Sequence, residues 1–206
     1  MSTCSLGIIE YGAGNLSSVC NSFTAVGVQA TLVRKPEELG NLTHLVLPGV
    51  GTFGDCSQAL EQQDLSSVIR QWIEQDKPFL GICVGYQVLF ESGEESPGVP
   101  GLGVLAGKVR KFPNSELKVP HMGWNNLSYQ TPSPLFEGLA EHEYVYFVHS
   151  FHAVPKDASI ITAQTEYGTM LTASVGRGNV QGAQFHPEKS SRIGLQMLKN
   201  FVNWNN

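Results

Sequence analysis

A cysteine stands between two glycines in the run Phe79-Leu80-Gly81-Ile82-Cys83-Val84-Gly85-Tyr86-Gln87, where an apolar strand pattern gives way to a helix. Glycines on either side permit the tight, strained turn that lifts a nucleophile above a sheet. A helix starting behind Cys83 would direct free N–H groups and partial positive charge at the sulfur, favouring the thiolate. Far downstream, Gln184-Phe185-His186-Pro187-Glu188 ends a second strand pattern with a base and an acid. Cysteine, imidazole and carboxylate at converging strand ends are the parts of a nucleophilic triad. Cys83 would attack, His186 would serve as base and then acid, and Glu188 would orient the ring. Two residues apart on extended chain, His186 and Glu188 should leave the backbone on the same side. A third piece is Pro48-Gly49-Val50-Gly51, directly after the run His44 to Leu47. Its glycines allow peptide N–H groups to turn inward, and an N–H of Val50 or Gly51 with that of Val84 would form an oxyanion hole. The chemistry expected is hydrolysis of an amide through a covalent intermediate.

Positioning these groups requires strands whose ends meet. Leu6 to Tyr11, Ala30 to Val33, His44 to Leu47 and Phe79 to Ile82 read as strands. Between them, Leu16, Val19, Cys20, Phe23 and Val26, capped by Gly27, recur at helical spacing, as do Leu65, Val68, Ile69, Trp72 and Ile73. This order implies an α/β fold with a mostly parallel, twisted central sheet and helices on both faces. After about residue 100 the pattern changes to short β-prone runs parted by Gly, Pro and Asn turns: Val104 to Phe112, Val119 to Leu127, Tyr144 to Ala153, Ser159 to Glu166, Met170 to Val175 and Val180 to Phe185. These are expected as antiparallel strands or hairpins extending the sheet in the C-terminal half. A last helix carries Ile193, Met197, Phe201 and Trp204 on one face, with Ser190 or Ser191 as its cap. Ligands of such sheets bind beyond the carboxyl ends of the strands, so Cys83, His186 and the Pro48 turn should share one cleft.

The 206 residues read as one domain, 1–206, with 41% hydrophobic and 15% charged residues. A net charge of −5 argues against nucleic acid or an anionic membrane as partner. No apolar run approaches the roughly 20 residues that span a bilayer. Met1 to Ser5 lacks the basic and apolar regions of a secretory leader, so a cytoplasmic protein with free thiols is expected. Cys4, Cys20 and Cys56 read as small core residues. Gly12-Ala13-Gly14-Asn15 lacks the third glycine and the acidic residue of a dinucleotide site. His149 and His152 come nearest to metal spacing but have no carboxylate or thiol beside them, so neither metal nor cofactor is expected.

Leu47-Pro48-Gly49-Val50-Gly51, Gly81 to Gln87 and His186-Pro187-Glu188 together resemble the class I (triad) glutamine amidotransferases. Tyr11 to Asn15, Pro120-His121-Met122-Gly123-Trp124-Asn125 and Tyr146-Phe147-Val148-His149-Ser150 narrow the likeness to the branch that serves histidine biosynthesis. The likeness spans essentially the whole chain. It implies glutamine as substrate, with Gln87 and Glu95 beside it, Glu95 facing its α-ammonium group, and backbone of Gly51, Ser150 and Phe151 holding the rest. It implies a heterodimer with the (βα)8-barrel cyclase of imidazole glycerol phosphate synthase, through Asn15, Met122, Trp124 and Lys189. It also implies an oxyanion turn that aligns only when the cyclase binds its own substrate. Val84, Tyr86 and Phe151 depart from the residues more usual in the family at those places, all by apolar exchanges. Two other readings stay open on residues alone: a related glutaminase subunit serving a different ammonia acceptor, and a silent subunit that keeps the fold.

Overall fold

A computed structural model describes residues 4–12, 15–113 and 117–204. The chain begins with β1 (Leu6–Ile9), α1 (Leu16–Ala25), β2 (Ala30–Val33), β3 (His44–Gly49), α2 (Phe53–Gln62) and α3 (Leu65–Glu74). It continues with β4 (Phe79–Cys83), the single turn α4 (Val84–Gln87), β5 (Phe90–Gly93), β6 (Leu105–Lys111), β7 (His121–Asn126) and β8 (Ser128–Tyr129). Then follow β9 (Tyr144–His149), β10 (Phe151–Pro155), β11 (Ile161–Glu166), β12 (Met170–Arg177), β13 (Val180–Ala183) and α5 (Ser191–Asn203).

The main sheet has eight strands in the order β2-β1-β3-β4-β13-β12-β11-β8. Its first five are mutually parallel, and the last three join antiparallel. Every residue of β1, β3, β4 and β13 is buried, as expected of parallel strands covered on both faces. Helix α1 packs with α5, and α2 with α3. The stripe foreseen on α3 buries Leu65, Ile69 and Trp72, and the indole N–H of Trp72 donates to the Pro78 carbonyl at 3.0 Å, tying the helix end to the start of β4.

Several expectations need correction. The strands after residue 100 do not all extend the central sheet, nor are they all antiparallel. β8, β11, β12 and β13 extend the sheet through antiparallel pairs as expected, but β13 also runs parallel to β4, while β10-β6-β5 form a separate three-stranded sheet and β7-β9 a separate pair. The run Tyr144 to Ala153 splits at Ser150, where the chain leaves β9 for β10. Helix α2 escapes the periodicity because Gly54 and Ser57 dilute its apolar face. Its signal is the cap instead: Thr52 Oγ1 accepts from the Asp55 N–H at 3.1 Å. Neither Ser190 nor Ser191 caps α5 with its side chain. Ser190 Oγ donates to the His186 carbonyl at 2.6 Å and accepts from the Tyr146 N–H at 3.0 Å, so it clamps the His186 turn to β9. Asn15, by contrast, does cap α1, its Oδ1 accepting from the Ser18 N–H. Ala13 and Gly14 of the expected first turn lie outside the described residues.

Candidate active site

Three neighbouring strands of the parallel block end at one place. Gly49, the last residue of β3, is in register with Cys83, the last of β4, and Ala183, the last of β13, lies beside Ile82. Cys83 has φ 55° and ψ −112°, a left-handed conformation that costs a non-glycine residue about 1–3 kcal/mol. Its neighbours make the bend possible. A Cβ on Gly81 would come 2.8 Å from the Gly85 carbonyl oxygen, and one on Gly85 would collide with the Leu47 carbonyl. A Cβ on Gly49 would stand 2.5 Å from the Gly85 nitrogen, so the end of β3 presses directly on the turn behind the cysteine. The expected helix behind Cys83 is only one turn long, so its dipole is slight. His186 shares the cavity with the sulfur and interacts with it electrostatically.

His186 lies three residues beyond β13, and its N–H donates to the Tyr146 carbonyl at 2.9 Å. Residues Pro187–Lys189 form a 3₁₀ turn, not the extended chain expected, and this turn brings Glu188 round to its neighbour. Nδ1 of His186 bonds Oε1 of Glu188 at 2.7 Å, with both side chains almost wholly buried (3% and 2% exposed). Burial pushes the imidazole down, but the sulfur of Cys83 and the carboxylate of Glu188 outweigh it and hold His186 up at about 10. The ring is therefore an imidazolium at neutral pH, with Nδ1 committed to Glu188 and Nε2 left for the sulfur and whatever the sulfur attacks.

Cys83, His186 and Lys189 line a cavity of roughly 290 Å³ together with Val50, Gly51 and Val84 from the two turns. Gln87, Glu95, Ser150 and Phe151 line it as well, so every residue expected to touch a substrate faces the same space. Gly51 has φ 94°, a conformation that favours glycine. Two side chains are partly committed. Glu95 Oε2 accepts from the Phe53 N–H, the free first N–H of α2, at 2.7 Å. The Phe151 carbonyl accepts from both Gln87 Nε2 at 3.0 Å and His149 Nδ1 at 2.9 Å, which uses both its lone pairs.

Two further features were not singled out from the sequence. Gln184, fully buried, takes a hydrogen bond from Gln87 Nε2 on its Oε1 at 2.9 Å and directs its own Nε2 to the Cys83 sulfur at 3.9 Å. Its position two residues before His186 was the available signal, because alternate residues of extended chain share a side. His149 was weighed only against His152, yet its partner is His121 on the facing strand, Nδ1 to Nε2 at 3.0 Å. Burial pushes His121 down to about 4 and His149 down to about 3. Among the described residues no group of three potential ligands could hold a metal ion. Nor is any helix among them long and apolar enough to cross a membrane.

The four residues expected at a partner interface are exposed. Met122 and Trp124 project from β7 with 62% and 52% of their surface accessible, and Asn15 and Lys189 are exposed too. Lys189 Nζ lies 5.9 Å from the Tyr146 ring, which packs edge-on against Trp124 at 6.0 Å. A row of side chains thus leads from the cavity to the exposed strand. Cys56 is a core residue as expected, while Cys4 and Cys20 are only partly buried against the core.

The family profile described as Glutamine amidotransferase class-I matches residues 7–204. The chain is 48% identical over 200 residues to the imidazole glycerol phosphate synthase subunit HisH of Synechococcus sp. (strain JA-3-3Ab), covering 96% of this chain and 92% of that protein. It is 47% identical over 195 residues to the protein of the same name from Aquifex aeolicus (strain VF5), covering 94% of each. Among solved structures, PurLQS from Thermotoga maritima is similar with a TM-score of 0.78 at 20% identity over 98% of both chains. A crystal structure of glutamine amidotransferase gives 0.72 at 22% identity over 94% of this chain and 98% of the other. At these identities the structural likeness is one of fold.

Proposed function

The chain belongs to the class I glutamine amidotransferase family, and on that footing we propose that it is the glutaminase subunit of an imidazole glycerol phosphate synthase. It hydrolyses glutamine to glutamate and ammonia and passes the ammonia to a (βα)8-barrel cyclase, which makes imidazole glycerol phosphate and an aminoimidazole carboxamide ribotide. The observation that carries this reading is the buried array of Cys83, His186 and Glu188 at the ends of β4 and β13, opening on one cavity.

In the proposed cycle the Cys83 thiolate attacks the side-chain carbonyl carbon of glutamine. The tetrahedral oxyanion is held by the Val84 N–H and by an N–H of the Val50–Gly51 turn. His186 gives its Nε2 proton to the departing nitrogen, the C–N bond breaks, and ammonia leaves a glutamyl thioester on the sulfur. Water then attacks the thioester, Nε2 takes up its proton, and the C–S bond breaks to release glutamate and free the sulfur, with His186 again protonated. Glu188 holds the ring through its bond to Nδ1, as in related triads. Glu95 and Gln87 flank the α-amino end of the substrate, and backbone of Gly51 and Ser150 flanks the remainder.

Ammonia set free in neutral water becomes ammonium, which has no lone pair for attack, so a docked partner and a sheltered route are part of the proposal. The exposed Met122 and Trp124, with Asn15 and Lys189, form the docking face; aromatic and methionine side chains are enriched in such interfaces. The Gly49–Gly51 turn is proposed to align its oxyanion donors fully only when the cyclase holds its own substrate. Equal glutamine turnover by the isolated chain and by the ligand-loaded complex would remove that gating. The proposed location is the cytoplasm, where the thiol stays reduced.

The deciding experiment uses the complex with the cyclase. Cys83→Ala is expected to abolish glutamine-dependent synthesis and labelling by a glutamine-mimicking electrophile, while ammonia-dependent synthesis continues at the wild-type rate. Loss of both syntheses would make Cys83 structural and overturn the proposal.

A further inference from the structure

We propose that His149 and His121 are positioning residues for the glutamine pocket: as two Nδ1–H imidazoles in series they clamp the Phe151 carbonyl, and through it they set the side-chain amides of Gln87 and Gln184. The inference rests on the function proposed above, since it concerns the same pocket.

The proton positions follow from one acceptor. The Phe151 carbonyl can only accept, so the hydrogen between it and His149 sits on Nδ1. A neutral His149 then offers a lone pair at Nε2, and the hydrogen in the 3.0 Å contact must sit on His121 Nδ1. His121 Nε2 is left as an acceptor, and Asn125 Nδ2 meets it at 3.3 Å. That amide is itself held in this sense, because Nδ2 also donates to the Glu166 carbonyl at 2.8 Å and Oδ1 accepts from the Asn126 N–H at 2.9 Å. No link has a second orientation. An additional proton on either ring would set donor against donor, and the buried surroundings already favour the neutral forms. His121 is also fixed in place by stacking, between Phe147 at 4.6 Å and Tyr167 at 4.1 Å.

On the other side of the same carbonyl, Gln87 spends one amide hydrogen on Phe151 and the other on Gln184 Oε1. Gln87 therefore presents only Oε1 to the cavity it lines. Gln184, accepting through Oε1, must turn its Nε2 outward, and that nitrogen is the one directed at the Cys83 sulfur. A flip of Gln87 would present donors to the cavity and would reverse Gln184 against the nucleophile. The imidazole pair opposes that flip by keeping the carbonyl where Gln87 must donate to it. His149 itself lines the cavity, but both histidines act on the pocket by holding Phe151 and not on the reacting atoms.

The test compares wild type, His149→Phe and His149→Asn in complex with the cyclase, measuring glutamate release across glutamine concentrations. Losing the donor leaves a part-buried carbonyl half-satisfied and free to shift, so His149→Phe is expected to raise KM for glutamine by about 10-fold or more, with a smaller change in kcat. In His149→Asn the amide nitrogen takes the place of Nδ1, and KM is expected to return to within about 3-fold of wild type. A wild-type KM in folded His149→Phe, or a His149→Asn protein as impaired as His149→Phe, overturns the proposal. Imidazole ¹⁵N spectra of the wild-type chain at neutral pH give a second decision that holds even if His149→Phe fails to fold. Both rings are expected as neutral Nδ1–H tautomers; an Nε2–H tautomer or an imidazolium on either one overturns it. If wild type itself releases no glutamate, the proposed function fails, and the spectra still decide the fate of the pair.

Discussion

His186 holds opposite roles together because of what surrounds it. Burial alone would make it a poor base that is never charged, yet the sulfur on one side and Glu188 on the other keep it protonated well past neutrality, at about 10. Glu188→Gln removes the buried anion while preserving shape, and is expected to lower kcat/KM for glutamine by about 10²- to 10⁴-fold, as loss of general acid–base assistance does. The same substitution has a signature in stability. A histidine raised from 6.5 to about 10 on folding contributes stability that is complete below 6.5 and lost as pH rises through about 10. Denaturant titrations should therefore show the largest deficit of Glu188→Gln relative to wild type near the lower of these values, narrowing toward the higher. A deficit that grew with pH would contradict the assignment.

The turn from β4 into α4 stores strain in order to expose a sulfur. At φ 55° and ψ −112° the backbone of Cys83 suits glycine, and its burial between the ends of β3 and β13 leaves it no other path. Cys83→Gly is expected to be more stable than Cys83→Ala by about 1 kcal/mol, since alanine keeps the strain and glycine relieves it, less its own entropic cost. Thermal melts of the two inactive variants would show it, and equal or reversed stability would mean that the turn is unstrained. A comparable economy holds the second half of the triad. Gly194 lets α5 approach so closely that a Cβ there would collide with the Pro187 carbonyl, and Ser190 ties His186 to β9. The helix thereby sets where the imidazole stands.

Across the molecule, the cavity and the exposed β7 strand belong to one surface, joined through Lys189, Tyr146 and Trp124. Trp124 is half exposed on the isolated chain, and the proposed function makes it an anchor for the cyclase. Trp124→Ala is expected to weaken binding of the cyclase by on the order of 30-fold, the loss of about 2 kcal/mol typical of an aromatic anchor, with the melting temperature of the free chain unchanged. Titration calorimetry and a melt measure the two parts. Unchanged binding would move the docking face elsewhere.

The glycine-flanked turn at Cys83, the Pro48–Gly49 turn and the parallel block were legible in the linear chain because each is written locally. Glycines beside Cys83, Pro48-Gly49 after an apolar run, and helical stripes before Pro78 depend on residues within a turn or two of one another. The place of β13 was not, because a run of four buried residues fits a parallel or an antiparallel neighbour equally well. It pairs antiparallel with β12 through a tight turn and parallel with β4 on its other edge, and this second, long-range pairing brings His186 towards Cys83. The separation of β7 and β9 from the central sheet is likewise a matter of pairing between distant segments. That pairing set His121 against His149, a partner that the spacing of nearby histidines did not indicate. Residue types and short-range periodicity determine what each segment can do. Which segments meet, and hence which imidazole faces the sulfur and which faces only a carbonyl, is settled by long-range contacts that no local pattern encodes.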